Sequence, residues 1–310
     1  MKVLRAIPEL AAVPGPVVLA VGVFDGLHRG HRAVLERAQT EAAALGGAAT
    51  AVSFEPHPAT VLRPDQAPAL LTPPTLKLKM LERMGLQYAL ILPFDAKFAA
   101  TEADAFIRTL AASCRPLAAI CVGQNWSFGK GRSGNLSQLT RLGEELLFSA
   151  RGVEELTLEG EPISSTRIRS ALTSGDFSLV EKLLGRPFSL AGLVQHGRAL
   201  GRTLGFPTAN IPLGGEQIPP WGVYAVRVRR DGHPPHPGVA NLGVRPTLDS
   251  PAHIPVLEVH LLHFNAPLYG EFLEVEFLHF LRPEQRFASL AALREQIARD
   301  AAQARTILGC

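Results

Sequence analysis

The segment GVFDGLHRGH, Gly22 to His31, sets two imidazoles three residues apart with Gly30 between them, after an apolar run and ahead of a helical pattern. At a helix start His28 and His31 share one side of the first turn, and Gly30 lets a ligand approach the backbone closely. The unpaired N–H groups of a helix N-terminus carry partial positive charge and favour phosphate. Imidazoles donate hydrogen bonds to phosphate oxygens whose charge grows in a transition state. The chemistry indicated is transfer of a phosphate-bearing group. SFEPHP (53–58) and VGQNWSFGKGRSGN (122–135) are two further polar or glycine-rich segments, each following an apolar run.

The elements that must position these segments read as alternating strands and helices. PVVLAVGVF, AATAVSF, LQYALILPF and PLAAICVG are short apolar runs of the kind buried on both faces of a parallel sheet. Helical patterns separate them: GHRAVLERAQTEAAALG, PPTLKLKMLERMG and EADAFIRTLAASC. This alternation predicts a Rossmann-like α/β domain with ligands beyond the carboxyl ends of the strands, where the three segments fall. From about Ser189 the pattern changes to short strands punctuated by Gly and Pro, closed by one helix, SLAALREQIARDAAQARTIL. That predicts an antiparallel β-barrel with a terminal helix. The boundary is placed at 184/185, giving domains 1–184 and 185–310.

Composition narrows the classes. The chain has 310 residues, 46% of them hydrophobic, and a net charge of +3 spread over both halves, which argues against nucleic acid as partner. No secretion signal or membrane-length apolar run appears, and three cysteines without metal-type pairing suggest a reducing compartment. A cytoplasmic enzyme is expected, and the oligomeric state, including a homo-oligomer, is left open.

The second half contains no lysine after Lys182, so neither a G-x-x-x-x-G-K-[ST] loop nor a kinase-type lysine can operate there. Any phosphoryl transfer must use backbone N–H groups, arginine and Mg²⁺. GRALGRTLGFPTANI offers a glycine-rich loop and then Thr208 and Asn210, two apart and so on one side of an extended segment. Both carry oxygens suited to a hard cation. Six of the ten histidines lie between His233 and His279, but His260 and His263 fall on opposite faces of a strand, which argues against a metal cluster.

In combination these segments resemble the bacterial bifunctional riboflavin kinase/FAD synthetases. GVFDGLHRGH is similar to the first signature of the HIGH-motif nucleotidylyltransferases, and FEPHP, VGQNWSFGKGRSG and ISSTRIR follow in family order. In the second half GFPTANI, GVYAV, VANLGVRPT, LEVHLL, LYGE and FLRPEQRF resemble the riboflavin kinase segments of the same family. The resemblance implies a six-stranded barrel that phosphorylates riboflavin, and a first domain that adenylylates FMN to FAD. It also implies ATP and Mg²⁺ as co-substrate and cofactor. It assigns His28 and His31 to catalysis, and Gly22, Phe24, Asp25, Gly30, His57, Asn125, Ser164, Ser165, Thr166 and Arg169 to ATP and its phosphates. Phe128 would pack on a flavin or adenine ring. In the barrel Glu258 would be the general base, with Gly205, Pro207, Thr208 and Asn210 binding Mg²⁺–ATP. Gln124, and Pro267 before LYGE, depart from acidic residues that relatives often carry there. Two alternatives stand beside this reading: nucleotidyl transfer to another acceptor, such as a phosphopantetheine or nicotinamide mononucleotide, and a nucleotide- or flavin-binding regulator without turnover.

Overall fold

The structure is a computed structural model that describes residues 1–197, 200–247 and 250–310. It divides into two compact units, one of residues 1–69 and 74–165, the other of residues 70–73 and 166–310.

The first unit runs β1 (Lys2–Leu4), β2 (Val17–Val21), α1 (Arg29–Ala44), β3 (Ala48–Glu55), α2 (Pro58–Leu62), α3 (Pro74–Arg83), β4 (Tyr88–Pro93), α4 (Ala96–Ala99), α5 (Ala103–Ser113), β5 (Leu117–Gly123), α6 (Leu136–Leu146) and β6 (Ser149–Val153), then a hairpin of β7 (Thr157–Leu158) and β8 (Glu161–Pro162). Strands β1–β6 form one parallel sheet in the order β1-β4-β3-β2-β5-β6. All five residues of β2 are buried, as expected of a strand covered on both faces. The chain leaves β2 toward β3 and β4, then returns to pair β5 with the other side of β2. The sheet therefore changes direction between β2 and β5, the place where open α/β sheets hold ligands.

The four expected strands are β2, β3, β4 and β5. The sheet adds β1, of three residues, and β6, whose sequence SARGV carries no apolar run and is only partly buried. Both lie at the sheet edges, where a full apolar strand is not needed.

The second unit comprises α7 (Ser165–Ser174), α8 (Phe177–Leu184), β9 (Ser189–Leu193), α9 (Leu200–Thr203), β10 (Ala209–Pro212), β11 (Gly222–Arg230), β12 (His236–Thr247), β13 (Ser250–Leu261), β14 (Phe272–Arg282) and α10 (Leu290–Leu308). Its six strands are antiparallel in the order β10-β13-β12-β11-β14-β9. The ends of this row meet through a bridge between Gln195 and Asn210, and Gly192 packs on Ile211, making a near-closed barrel. Helix α8 packs here through Phe177, which meets Tyr224 edge-on at 5.6 Å. Helix α10, capped by Ser289, lies against β11, β12 and β14. Among the described residues no helix is long and apolar enough to cross a membrane.

One junction shows how tightly α1 is returned to the sheet. The Gly47 N–H donates to the Ala42 carbonyl and the Ala48 N–H to the Pro16 carbonyl, at 2.8 and 2.9 Å. A Cβ on Gly47 would lie 1.9 Å from the Pro16 oxygen, so the backbone would have to move. Gly47→Ala should therefore destabilise the first unit by about 1–3 kcal/mol, read as a lowered denaturant midpoint with an unchanged slope.

Candidate active sites

The turn between β2 and α1 is backbone of unusual shape. Phe24, Gly26 and Leu27 have φ of 53°, 88° and 44°, and two of the three are not glycine, a costly arrangement that surrounding contacts must hold. Phe24 and Leu27 are buried, and the Phe24 ring meets His31 edge-on at 5.5 Å. The Gly22 N–H donates to the Val52 carbonyl at 3.0 Å. A Cβ on Gly22 would come within 2.8 Å of the Phe24 ring.

His28 is the N-cap of α1, and its Nδ1 accepts from the His31 backbone N–H at 3.2 Å. An accepting Nδ1 in a neutral imidazole puts the proton on Nε2. The two rings are stacked, 3.6 Å between centroids. Gly30 packs by the His28 ring and near the Ile163 carbonyl. Burial pushes His28 down to about 4, and pushes His31 well below the ordinary histidine value, with His28 and then Lys77 adding to it. Both are neutral donors and acceptors at physiological pH. The buried His31 Nδ1 has no hydrogen-bond partner among the described residues.

His57, just beyond β3, repeats the device: it caps α2 and its Nδ1 accepts from the Ala59 N–H at 3.1 Å. Asn125 is exposed in a turn directly after β5, closed by Trp126 N–H donating to the Gly123 carbonyl at 2.9 Å. Phe128 is buried, stacked on Trp126 at 4.4 Å with its ring edge against Gly134. Ser165 donates its hydroxyl to the Asp25 carbonyl at 2.9 Å, which ties Ser165 to the first turn. Asp25 itself is buried and Ser164 half-buried. Thr166, exposed, and Arg169, half-buried, lie on α7 in the second unit.

The sequence reading passed over Lys77 and Ser53. Lys77, buried on α3, donates from Nζ to the Val23 carbonyl at 3.2 Å and to Ser53 Oγ at 3.4 Å. A signal existed: Lys77 shares the helix's apolar stripe with Met80 and Leu81.

In the barrel, strand register assembles the second site. Asn210 on β10 lies opposite Glu258 on β13, which lies opposite Asn241 on β12. The row continues through Val223 on β11 to Arg282 on β14. Partners across a ladder share a face, so Asn210, Glu258 and Asn241 converge. Asn210 is buried; its amide donates to the Thr208 carbonyl at 3.3 Å and packs where a Cβ on Gly197 would be. Gly201 packs just as closely on the Phe206 carbonyl, while residues 198–199 of the glycine-rich loop lie outside the described residues. Gly205 turns the chain at φ +87° ahead of Phe206 and the exposed Pro207. His260 Nδ1 lies 2.9 Å from the Pro207 carbonyl, fixing the strand beside Thr208.

Two cavities border this strand. One, of about 360 Å³, is lined by Phe206, Val223, Val239, Phe287, Leu293 and Ile297 together with Thr208, Asn241, Glu258 and Glu284. At its wall Arg282 pairs bidentately with the buried Asp300, at 2.8–3.1 Å. The other, of about 430 Å³, is lined by Pro207, Thr208, Ala209, Phe264 and Tyr269 among others. Thr208 borders both.

Comparison with known proteins finds two families end to end: FAD synthetase over residues 11–167 and riboflavin kinase over residues 184–308. The bifunctional riboflavin kinase/FMN adenylyltransferase of Escherichia coli (strain K12) is 43% identical over 310 residues, covering 100% of this chain and 98% of that protein. Its namesake from Pseudomonas fluorescens is 40% identical over 309 residues, covering 99% and 98%. Among solved structures, one described as a macrolide-efflux protein from Streptococcus pneumoniae superposes with a TM-score of 0.81 at 28% identity, covering 98% of each chain.

The neutral histidines have a thermodynamic signature. Above pH 6.5 neither the folded nor the unfolded chain protonates His28. Between 6.5 and about 4 the unfolded chain binds a proton that the folded chain excludes, so stability falls as pH falls. The His28 contribution reaches about 3 kcal/mol at the acid end. The pH dependence of unfolding over that window should flatten in His28→Gln relative to the parent.

Proposed function

The chain belongs to the bifunctional riboflavin kinase/FMN adenylyltransferase family, and we propose that each of two domains carries one of the two reactions. The observation that carries this is the presence of two separately built clusters of polar side chains, the stacked His28 and His31 at the end of a parallel strand and the row Asn210, Glu258 and Asn241 on the barrel. Residues 1–184 are assigned to FMN adenylylation and residues 185–310 to riboflavin phosphorylation.

In the barrel, riboflavin occupies the largely apolar 360 Å³ cavity, with its ribityl 5′-hydroxyl toward Glu258, and ATP occupies the cavity across Thr208. Glu258 takes the hydroxyl proton as the oxygen bonds to the γ-phosphorus, the bond to the β–γ bridging oxygen breaks, and ADP leaves. The Thr208 hydroxyl and the Asn210 side-chain oxygen are hard oxygen donors beside a carboxylate, which fits Mg²⁺ brought in with ATP. Such an ion would neutralise charge on the phosphates. With no lysine in this half, the strand-borne oxygens take the place of a P-loop.

In the first unit the FMN phosphate oxygen bonds to the α-phosphorus of ATP and the bond to pyrophosphate breaks. No proton need move at the attacking oxygen, so the site has to orient and stabilise. Neutral His28, through Nε2–H, and His31 donate to the phosphate oxygens at the start of α1, with Gly22, Phe24, Asp25 and Gly30 shaping the turn. His57 and Asn125 approach from the ends of β3 and β5. Ser164, Ser165, Thr166 and Arg169 are assigned to the β- and γ-phosphates. The free cysteines, two of them buried, suit a cytoplasmic enzyme.

The test is purified protein with riboflavin, ATP and Mg²⁺, products resolved by chromatography. His31→Ala should lower FAD formation by about 10²–10³-fold while FMN accumulates. Glu258→Ala should lower FMN formation by about 10²–10⁴-fold yet leave supplied FMN converting to FAD. Equal damage to both steps in either variant would refute the two-site assignment.

A further inference from the structure

A lysine buried among apolar residues needs a reason, because removing an ammonium from water is costly unless it is compensated. Lys77 is 9% exposed, and the turn it serves is the one that carries His28 and His31. Its two acceptors are the Val23 carbonyl and Ser53 Oγ, and the Ser53 hydroxyl itself donates to the same Val23 carbonyl at 2.9 Å. Val23 is the last residue before the backbone enters the positive-φ region at Phe24. That oxygen is thus held by two donors, one from α3 and one from β3, where the strained turn begins. The turn is held again at Asp25 by the Ser165 hydroxyl.

We propose that Lys77 is a positioning residue for adenylyl transfer, fixing the Val23–Leu27 turn so that His28 and His31 meet the ATP phosphates in register. The ammonium is compensated by Asp25 in the turn and Glu55 at the end of β3, which oppose the effect of burial on it. Its charge also acts on His31. The charged or titratable neighbours that bear on that ring are His28 from the same turn and Lys77 from α3, and both, after burial, disfavour imidazolium. A neutral hydrogen-bond donor at position 77 could satisfy the Val23 oxygen but could not supply that field.

The proposal rests on the assignment of Gly22–His31 to ATP phosphates, so His31→Ala is run alongside. If that variant makes FAD normally, the assignment itself has failed; if it is inactive, the Lys77 variants decide the present proposal. Lys77→Met should lower kcat for FMN adenylylation by about tenfold to a hundredfold, the scale of a misplaced reacting group, with a smaller change in KM for ATP. Riboflavin phosphorylation by the same molecules should be unchanged. The acid limb of the kcat/KM profile should move to higher pH in Lys77→Met, because His31 then protonates more easily. Lys77→Arg, which keeps the charge, should lose less activity and keep the parent limb. An unmoved limb in Lys77→Met, or equal losses in the Met and Arg variants, overturns the proposal. If Lys77→Met does not fold, Ser53→Ala decides: a several-fold lower kcat at parent KM supports the clamp, and parent kcat overturns it.

Discussion

A hydrogen bond from the His31 backbone N–H to His28 Nδ1 is the constraint on which the first site depends. It starts helix α1, fixes the His28 ring, and determines which nitrogen carries the proton. A side chain that caps a helix cannot rotate freely, so the direction of Nε2–H is fixed by the same bond that starts the helix. The His31 ring stacks on the one so fixed, and Phe24 closes its edge. His57 uses its Nδ1 in the same way at the end of the neighbouring strand. Two strand ends thus deliver imidazoles whose tautomer is set by the backbone.

The two units answer the same electrostatic demand differently. On the parallel sheet, positive potential comes from a helix start and from a buried ammonium that approaches the turn from behind. In the barrel, lysine is absent and precision comes from register: Asn210, Glu258 and Asn241 are consecutive in one ladder row. A one-residue slip of β10 would turn Asn210 to the opposite face. Gly197 leaves room for the Asn210 side chain that any Cβ would displace, and Gly201 leaves room for the Phe206 carbonyl just ahead of Thr208.

Much of this was legible in the sequence, and the exceptions have physical causes. The central strands and the helices between them are long, periodic and apolar, so β2, β3, β4 and β5 were read directly. Edge strands β1 and β6 were not, because an edge needs little apolar surface and SARGV has almost none. His28, His31, Thr208 and Asn210 stood out because their spacing means something locally, whereas Glu258 was named through the family resemblance of its segment alone. Lys77 and Ser53 were not, because what makes them matter is a carbonyl distant in sequence. Phe128 was named for a flavin or adenine ring by the resemblance; in the fold it packs within its own loop against Trp126 and Gly134, contacts that no local pattern announces. The grouping of α7 and α8 with the barrel rests on contacts such as Phe177 with Tyr224, which no local pattern announces.

The bridge between Gln195 and Asn210 that closes the row of barrel strands sits next to Thr208, which borders both cavities. Five pairs of neighbouring strands are joined by extended ladders, whereas this junction carries the Gln195 N–H to Asn210 carbonyl bond at 2.8 Å. Local opening is cheapest where the fewest backbone bonds must break. The ring therefore has a seam, and the seam lies two residues along the chain from Thr208. Opening there would leave the other five junctions, and the strand register they set, intact.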